Sequence, residues 1–298
     1  MGTSHRHTPT VVGEPNWGNA SVSVTAIASA EEELDELDNE LDGEDETDDT
    51  SDGDEKEEDK KDAPITTASP ERIAKRQRQL DSRIRRNYHH AIRNLVRAAG
   101  GRDKVSSGGS RAIGHAGVII AGGLVSAISE IVKNGLSDWL DRRGVHTLEG
   151  KTCQDVLDLI REYIEAGVAG MDNTAANEAL EFVMDELEEK IGDDIAAFDA
   201  AMDDILASDE LKDMLDKFFG MYIFSHLSQD FQEKLEYERG SKIMNETMNE
   251  IKELILDDVQ RSKGGREASA IDWSSEEGKA FIQQEFDRII YILSGNED

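Results

Sequence analysis

The chain has one cysteine, Cys153, in 298 residues. No disulfide can form within it, which fits a reducing compartment and a cytoplasmic protein. A lone thiol among helical segments reads as a core residue before it reads as a nucleophile. Proline is nearly as scarce, with four residues and none beyond Pro70, so no ring interrupts a helix after that point. Motifs of the common chemistries are missing as well. There is no HExxH or CxxC to ligate zinc, no GxSxG, and no GxxxxGK[ST] to cradle phosphate. No catalytic residue, metal ligand or cofactor site is therefore expected. The longest run free of Asp, Glu, Lys and Arg is Ala112 to Ser129. It holds His115, Ser126 and four glycines, and reads as a buried glycine-rich helix rather than a membrane span. The first fifteen residues hold no apolar stretch of the kind that heads a secretory signal.

Acid is abundant. The chain carries 65 Asp and Glu against 33 Lys and Arg, a formal charge of −32. Between Glu31 and Asp62, 20 of 32 residues are acidic and three are lysine, so about half of the net charge sits in one tract. Its apolar side chains are Leu34, Leu37 and Leu41, too few to offset the entropy of ordering it. The excess repels phosphate and argues against nucleic acid as partner of the whole chain. The same composition also suits a salt-tolerant source, where acidity serves solubility. Paired carboxylates such as Asp203 with Asp204 are expected by chance at this abundance and read as solvated helix faces.

Three parts follow. Residues 1 to 30 read as an extended N-terminal segment, with Val11, Val12 and Trp17 able to dock. Residues 31 to 68 read as a disordered acidic tether and linker, with a nascent helix in EEELDELDNEL. Residues 69 to 298 read as an all-helical domain. The domain opens on a basic helix, residues 71 to 97, with nine Arg and Lys against two acids and an apolar stripe from Ile73 to Leu95. Gly100 and Gly101 end it. Amphipathic helices are expected over about 111–134, 153–166, 174–191, 193–207, a long one after Ser208, 241–261 and 275–294. Thr152 with Asp155 forms a capping pair before the second of these.

Arg76, Arg78, Arg83, Arg85 and Arg86 make the basic helix the main electrostatic feature. Three readings stay open for it: nucleic-acid phosphates, an acidic partner surface, or the chain's own acidic tract just upstream. The opening MGTS has a chemical meaning of its own. Removal of the initiator Met leaves Gly2 as an unhindered amine with a pKa near 8. The myristoylation pattern fails because position six is Arg6.

Several stretches together resemble one family. MGTS followed by GEPNWG, IRNLVRAAGG followed by SSGGSRAIGHAG, GKTCQDVLDLIREYI, MDNTAANEALEFVMDEL and FSHLSQDF are similar to segments of the QatB-like proteins, components of a bacterial four-protein anti-phage defence system. His226 stands where the family pattern has an arginine. The resemblance implies a non-enzymatic protein working beside an ATPase, a QueC-like enzyme of deazapurine chemistry and a TatD-like nuclease. It implies Gly2 as the acceptor of a covalent modification by the QueC-like partner, with Thr3 and Ser4 entering that partner's cleft and Trp17 in the binding segment.

Overall fold

The computed structural model describes residues 17–42, 70–165, 170–192, 194–208, 210–262, 271, 273 and 275–295. Among them the chain is all-α: α1 (Gly18–Asp42), α2 (Pro70–Ala98), α3 (Arg102–Ser106), α4 (His115–Asn134), α5 (Leu136–Asp141), α6 (Cys153–Glu165), α7 (Met171–Ile191), α8 (Phe198–Ala207), α9 (Glu210–Arg239), α10 (Ser241–Arg261) and α11 (Glu276–Leu293).

α9 is the axis of the body. Its apolar residues do not keep to one side: Leu215, Phe218, Phe219, Tyr222, Ile223 and Leu227 are all inaccessible to solvent. A helix buried on most of its circumference needs neighbours all round, and α9 touches α1, α2, α4, α7, α8, α10 and α11. Ser208 caps its start by accepting the Glu210 N–H at 3.2 Å. α6 opens on the expected reciprocal cap, with Thr152 N donating to Asp155 at 2.7 Å and Asp155 N to Thr152 Oγ1 at 3.1 Å. Cys153 is buried in the core.

α1 corrects the expected boundaries. Residues 18 to 42 are helical, not extended up to residue 30 and a disordered tether from residue 31. The physical reason is tertiary. Ala20, Val24, Ile27, Ala28 and Leu37 bury one face against the body, and the carboxylates on its flanks meet cations from distant helices. α1 runs antiparallel to α2: Asn19 faces Asn94, Glu33 faces Arg83 and Asp38 faces Gln77. Residues 1–16 and 43–69, with the rest of the expected N-terminal segment and tether, lie outside the described residues. α4 is the one described helix long and apolar enough to cross a bilayer, and half of its apolar window is buried inside the body.

Candidate functional site

Gly100 and Gly101, both at positive φ, turn the chain out of α2 into α3. Ser110 ties the following turn down: its Oγ donates to Ala99 O at 2.7 Å and accepts the Ala112 N–H at 3.3 Å. The turn ends at Gly114, which precedes α4 with φ 110° and has no side chain to cap it. The cap comes instead from α7. Asp172 accepts the Gly114 N–H at 3.2 Å on one oxygen and the Ala116 N–H at 2.8 Å on the other. A carboxylate here also complements the positive end of the helix.

α9 supplies the other half. Tyr222 donates its hydroxyl to Asp172 and accepts from Gly114 N–H, and His226 Nε2, one turn later, lies 3.1 Å from Asp172. Burial alone raises the pKa of Asp172. The hydrogen bonds from His226, the Ala116 N–H and Tyr222 outweigh it and hold the carboxyl below its ordinary 3.8. Burial and the facing Asp172 push the Tyr222 hydroxyl well above 10. Gly117 lies under the ring, where a Cβ would sit 2.5 Å from a Tyr222 ring carbon. The carboxylate accepts four hydrogen bonds, which suits an anchor between α4, α7 and α9. The segment MDNTAANEALEFVMDEL includes Asp172, and His226 stands where the family pattern has an arginine. Tyr222 carries no local sequence signal for this role, because its partners are 50 and 108 residues away.

A second buried cluster has no local sequence signal. Between α9 and α11, Lys212 reaches Asp216 at 2.8 Å and Glu285 at 3.1 Å, while Arg288 pairs with both carboxylates and donates to Ser262 O at 2.8 Å. Among the described residues no group of three or more His, Cys, Asp or Glu is arranged to hold a metal ion. A shallow open depression between α3 and α11, lined by Asp103, Ser106, Ser107, Gln283, Gln284 and Asp287, offers hydrogen-bonding groups but little enclosure.

The basic helix divides by partner. Arg83 and Arg76 pair with Glu33 of α1 at 2.8 and 3.8 Å, so self-pairing with the acidic tract is realised in its first turns. Arg85 turns to α10, at Asp258 and, 3.6 Å away, Asp257. Arg78 and Arg86 are exposed and hold no carboxylate among the described residues. Trp17 is half-buried at the head of α1, packed on the body's own core. Gly2, Thr3 and Ser4 lie outside the described residues.

The stretch from Gly100, the glycine that ends α2, to Leu293, the last residue of α11, matches the family model of the Qat anti-phage system associated protein QatB. The chain belongs to the QatB family. The match takes in the glycine turn, the Asp172 anchor and the buried charge cluster, and leaves α1, α2 and Gly2 ahead of it. No curated protein and no solved structure matches the chain. Family membership makes the protein a component of an anti-phage system.

Proposed function

We propose that this chain is a non-catalytic, cytoplasmic component of its defence system that presents Gly2 to a QueC-like enzyme for covalent deazapurine modification, and that it works beside the system's ATPase and TatD-like nuclease. Membership of the QatB family carries the reading. The fold supports it in two ways. Asp172, Tyr222 and His226 are used to hold α4, α7 and α9 together, a structural role for these polar side chains. α1 begins at Gly18, so Gly2 stands sixteen positions ahead of the first helical residue, a spacing that spans at most about 55 Å. With a pKa near 8, roughly a tenth of the Gly2 amine is neutral and nucleophilic at pH 7.

Intact-mass measurement after coexpression with a QueC-like neighbour tests this. A mass increment located on Gly2, together with loss of defence in Gly2→Ala, is expected. An unmodified amine, or full protection from phage in Gly2→Ala, sinks it.

A further inference from the structure

Around α1 the charges are arranged in two opposing ways. Along its rim they match: Glu32 pairs with Arg239, Glu33 with Arg83, and Asp35 with Lys242. The cations come from α9, α2 and α10, three helices separate in sequence. Next to this rim the charges conflict. The charges of Glu250 and Glu246 of α10, of its own neighbour Asp35 and of Asp81 of α2 all act against an ionised Glu31, while Lys242 is taken up by Asp35 and, at 3.4 Å, by Glu246. One oxygen of Glu31 and one of Glu246 are buried without a hydrogen bond. Such groups cost free energy for as long as the helix stays docked.

The connection is also far longer than the geometry needs. Antiparallel helices close with two to eight residues, yet 27 residues join Asp42 to Pro70. A connection of 27 residues keeps α1 on the same chain as its groove, docked or released, so that its return is an intramolecular step.

We propose that α1 is a releasable strap over a helix-binding groove of α2, α9 and α10, and that the groove's external ligand is an acidic amphipathic helix. The ligand's chemistry is defined by α1 itself. Once α1 leaves, Arg76, Arg83, Arg239 and Lys242 surround the apolar floor that Val24, Ile27 and Leu37 now cover. An incoming helix needs carboxylates over that rim and small apolar residues beneath. It competes with the tethered α1 only because the carboxylates around Glu31 oppose docking. Burial first, then Glu250, Glu246, Asp35 and Asp81, push the Glu31 carboxyl up to about 7 from 4.5. The docked helix therefore keeps a proton that the released one gives up, and docking weakens as pH rises from about 5 to 7. Solvent screening of this half-buried group limits the change to several-fold. The strap and its groove are formed by α1, α2, α9 and α10, so the mass measurement above and the measurements below succeed or fail separately.

Hydrogen exchange on the full chain reads the strap. Corrected for intrinsic rates, α1 amides should exchange at least about tenfold faster than those of α9 and lose several-fold more protection between pH 5 and pH 7. Glu31→Gln should remove the pH step. Equal protection in α1 and α9 with no pH step overturns the strap. A labelled peptide of residues 17–42 reads the groove. It should bind a full-length Glu32→Lys, Glu33→Lys, Asp35→Lys variant at least about tenfold more tightly than the parent, with exchange in α4 and α9 unchanged. Adding Arg239→Glu and Lys242→Glu should abolish that binding. Equal binding to parent and variant, or binding that survives the added reversals, overturns the groove. Loss of protection in α4 and α9 in the triple variant overturns the strap, because α1 would then belong to the cooperative core.

Discussion

Gly117 and Gly122 lie five residues apart on α4, and a methyl group added at each meets different surroundings. At Gly117 it collides with the Tyr222 ring at 2.5 Å, and that ring is pinned through its hydroxyl to Asp172. At Gly122 the nearest atom is a methyl of Ile282 at 4.0 Å. Gly117→Ala should cost about 2–3 kcal/mol by overpacking, while Gly122→Ala should stabilise by up to about 1 kcal/mol through helix propensity. Urea denaturation of the two variants checks the pair, and equal effects would show that Tyr222 is free to move. Asp172 makes a further test. Removing its carboxylate leaves the Ala116 N–H, a buried hydroxyl and His226 without this acceptor, while the Gly114 N–H keeps Tyr222, so Asp172→Ala should cost about 2–4 kcal/mol. Its pKa is lowered in the fold, so the stability it contributes is present above its ordinary range and is lost as pH falls below about 4. Asp172→Asn should flatten that acid limb in denaturation curves taken between pH 3 and 6.

Among the elements, the buried cluster joining α9 to α11 divides into replaceable and irreplaceable parts. Burial, then the hydrogen bond and charge of Glu285, push Asp216 up to about 6. Burial would raise Glu285 too, but the hydrogen bond from Asp216 and the charges of Arg288 and Lys212 hold it below its ordinary 4.5. The folded chain thus keeps a proton on Asp216 that the unfolded chain releases, and the stability of this contact declines as pH rises from about 4 to 6. Asn reproduces the protonated pattern, accepting from Lys212 and Arg288 and donating to Glu285. Asp216→Asn should stay within about 1 kcal/mol of the parent at pH 8 and lose the slope. Lys212→Met should cost about 3–5 kcal/mol, because two buried carboxylates then share Arg288 alone. Thermal melts at pH 5 and pH 8 separate the two outcomes. Nothing local announces this cluster, since Lys212 and Glu285 are 73 positions apart and read singly as surface charges. α2, α6, α10 and α11 were legible because Ile, Leu and Phe recur at three- and four-residue spacings against charged faces. α1 was not legible beyond a hint. Its buried face is built largely from Ala, Ser and Val, so the apolar contrast is weak. Its acids read as a solvated run, and the cations that match them come from α2, α9 and α10. The Asp172 anchor was half legible for the same reason: the glycines and the aspartate are visible, but their meeting is not.

For the whole molecule, the question is whether the cations that α1 leaves uncovered attract polyanions. Arg78 and Arg86 are exposed with Lys75 on α2, whereas Arg76, Arg83 and Arg85 are already held by carboxylates. The formal charge of −32 surrounds this short ridge with a repulsive field, and residues 43–62 contribute 12 acids against three lysines close in sequence to the start of α2. The full chain should therefore bind duplex DNA weakly at any salt concentration. Deleting residues 43–62 keeps the helix pair joined by seven residues, within the length such a pair needs. That deletion should raise DNA affinity about tenfold at low salt, and Arg78→Glu with Arg86→Glu should cancel the gain. Titrations at two salt concentrations decide the matter. No gain on deletion would remove nucleic acid as a ligand of the basic helix and leave α2 as the wall against which α1 docks.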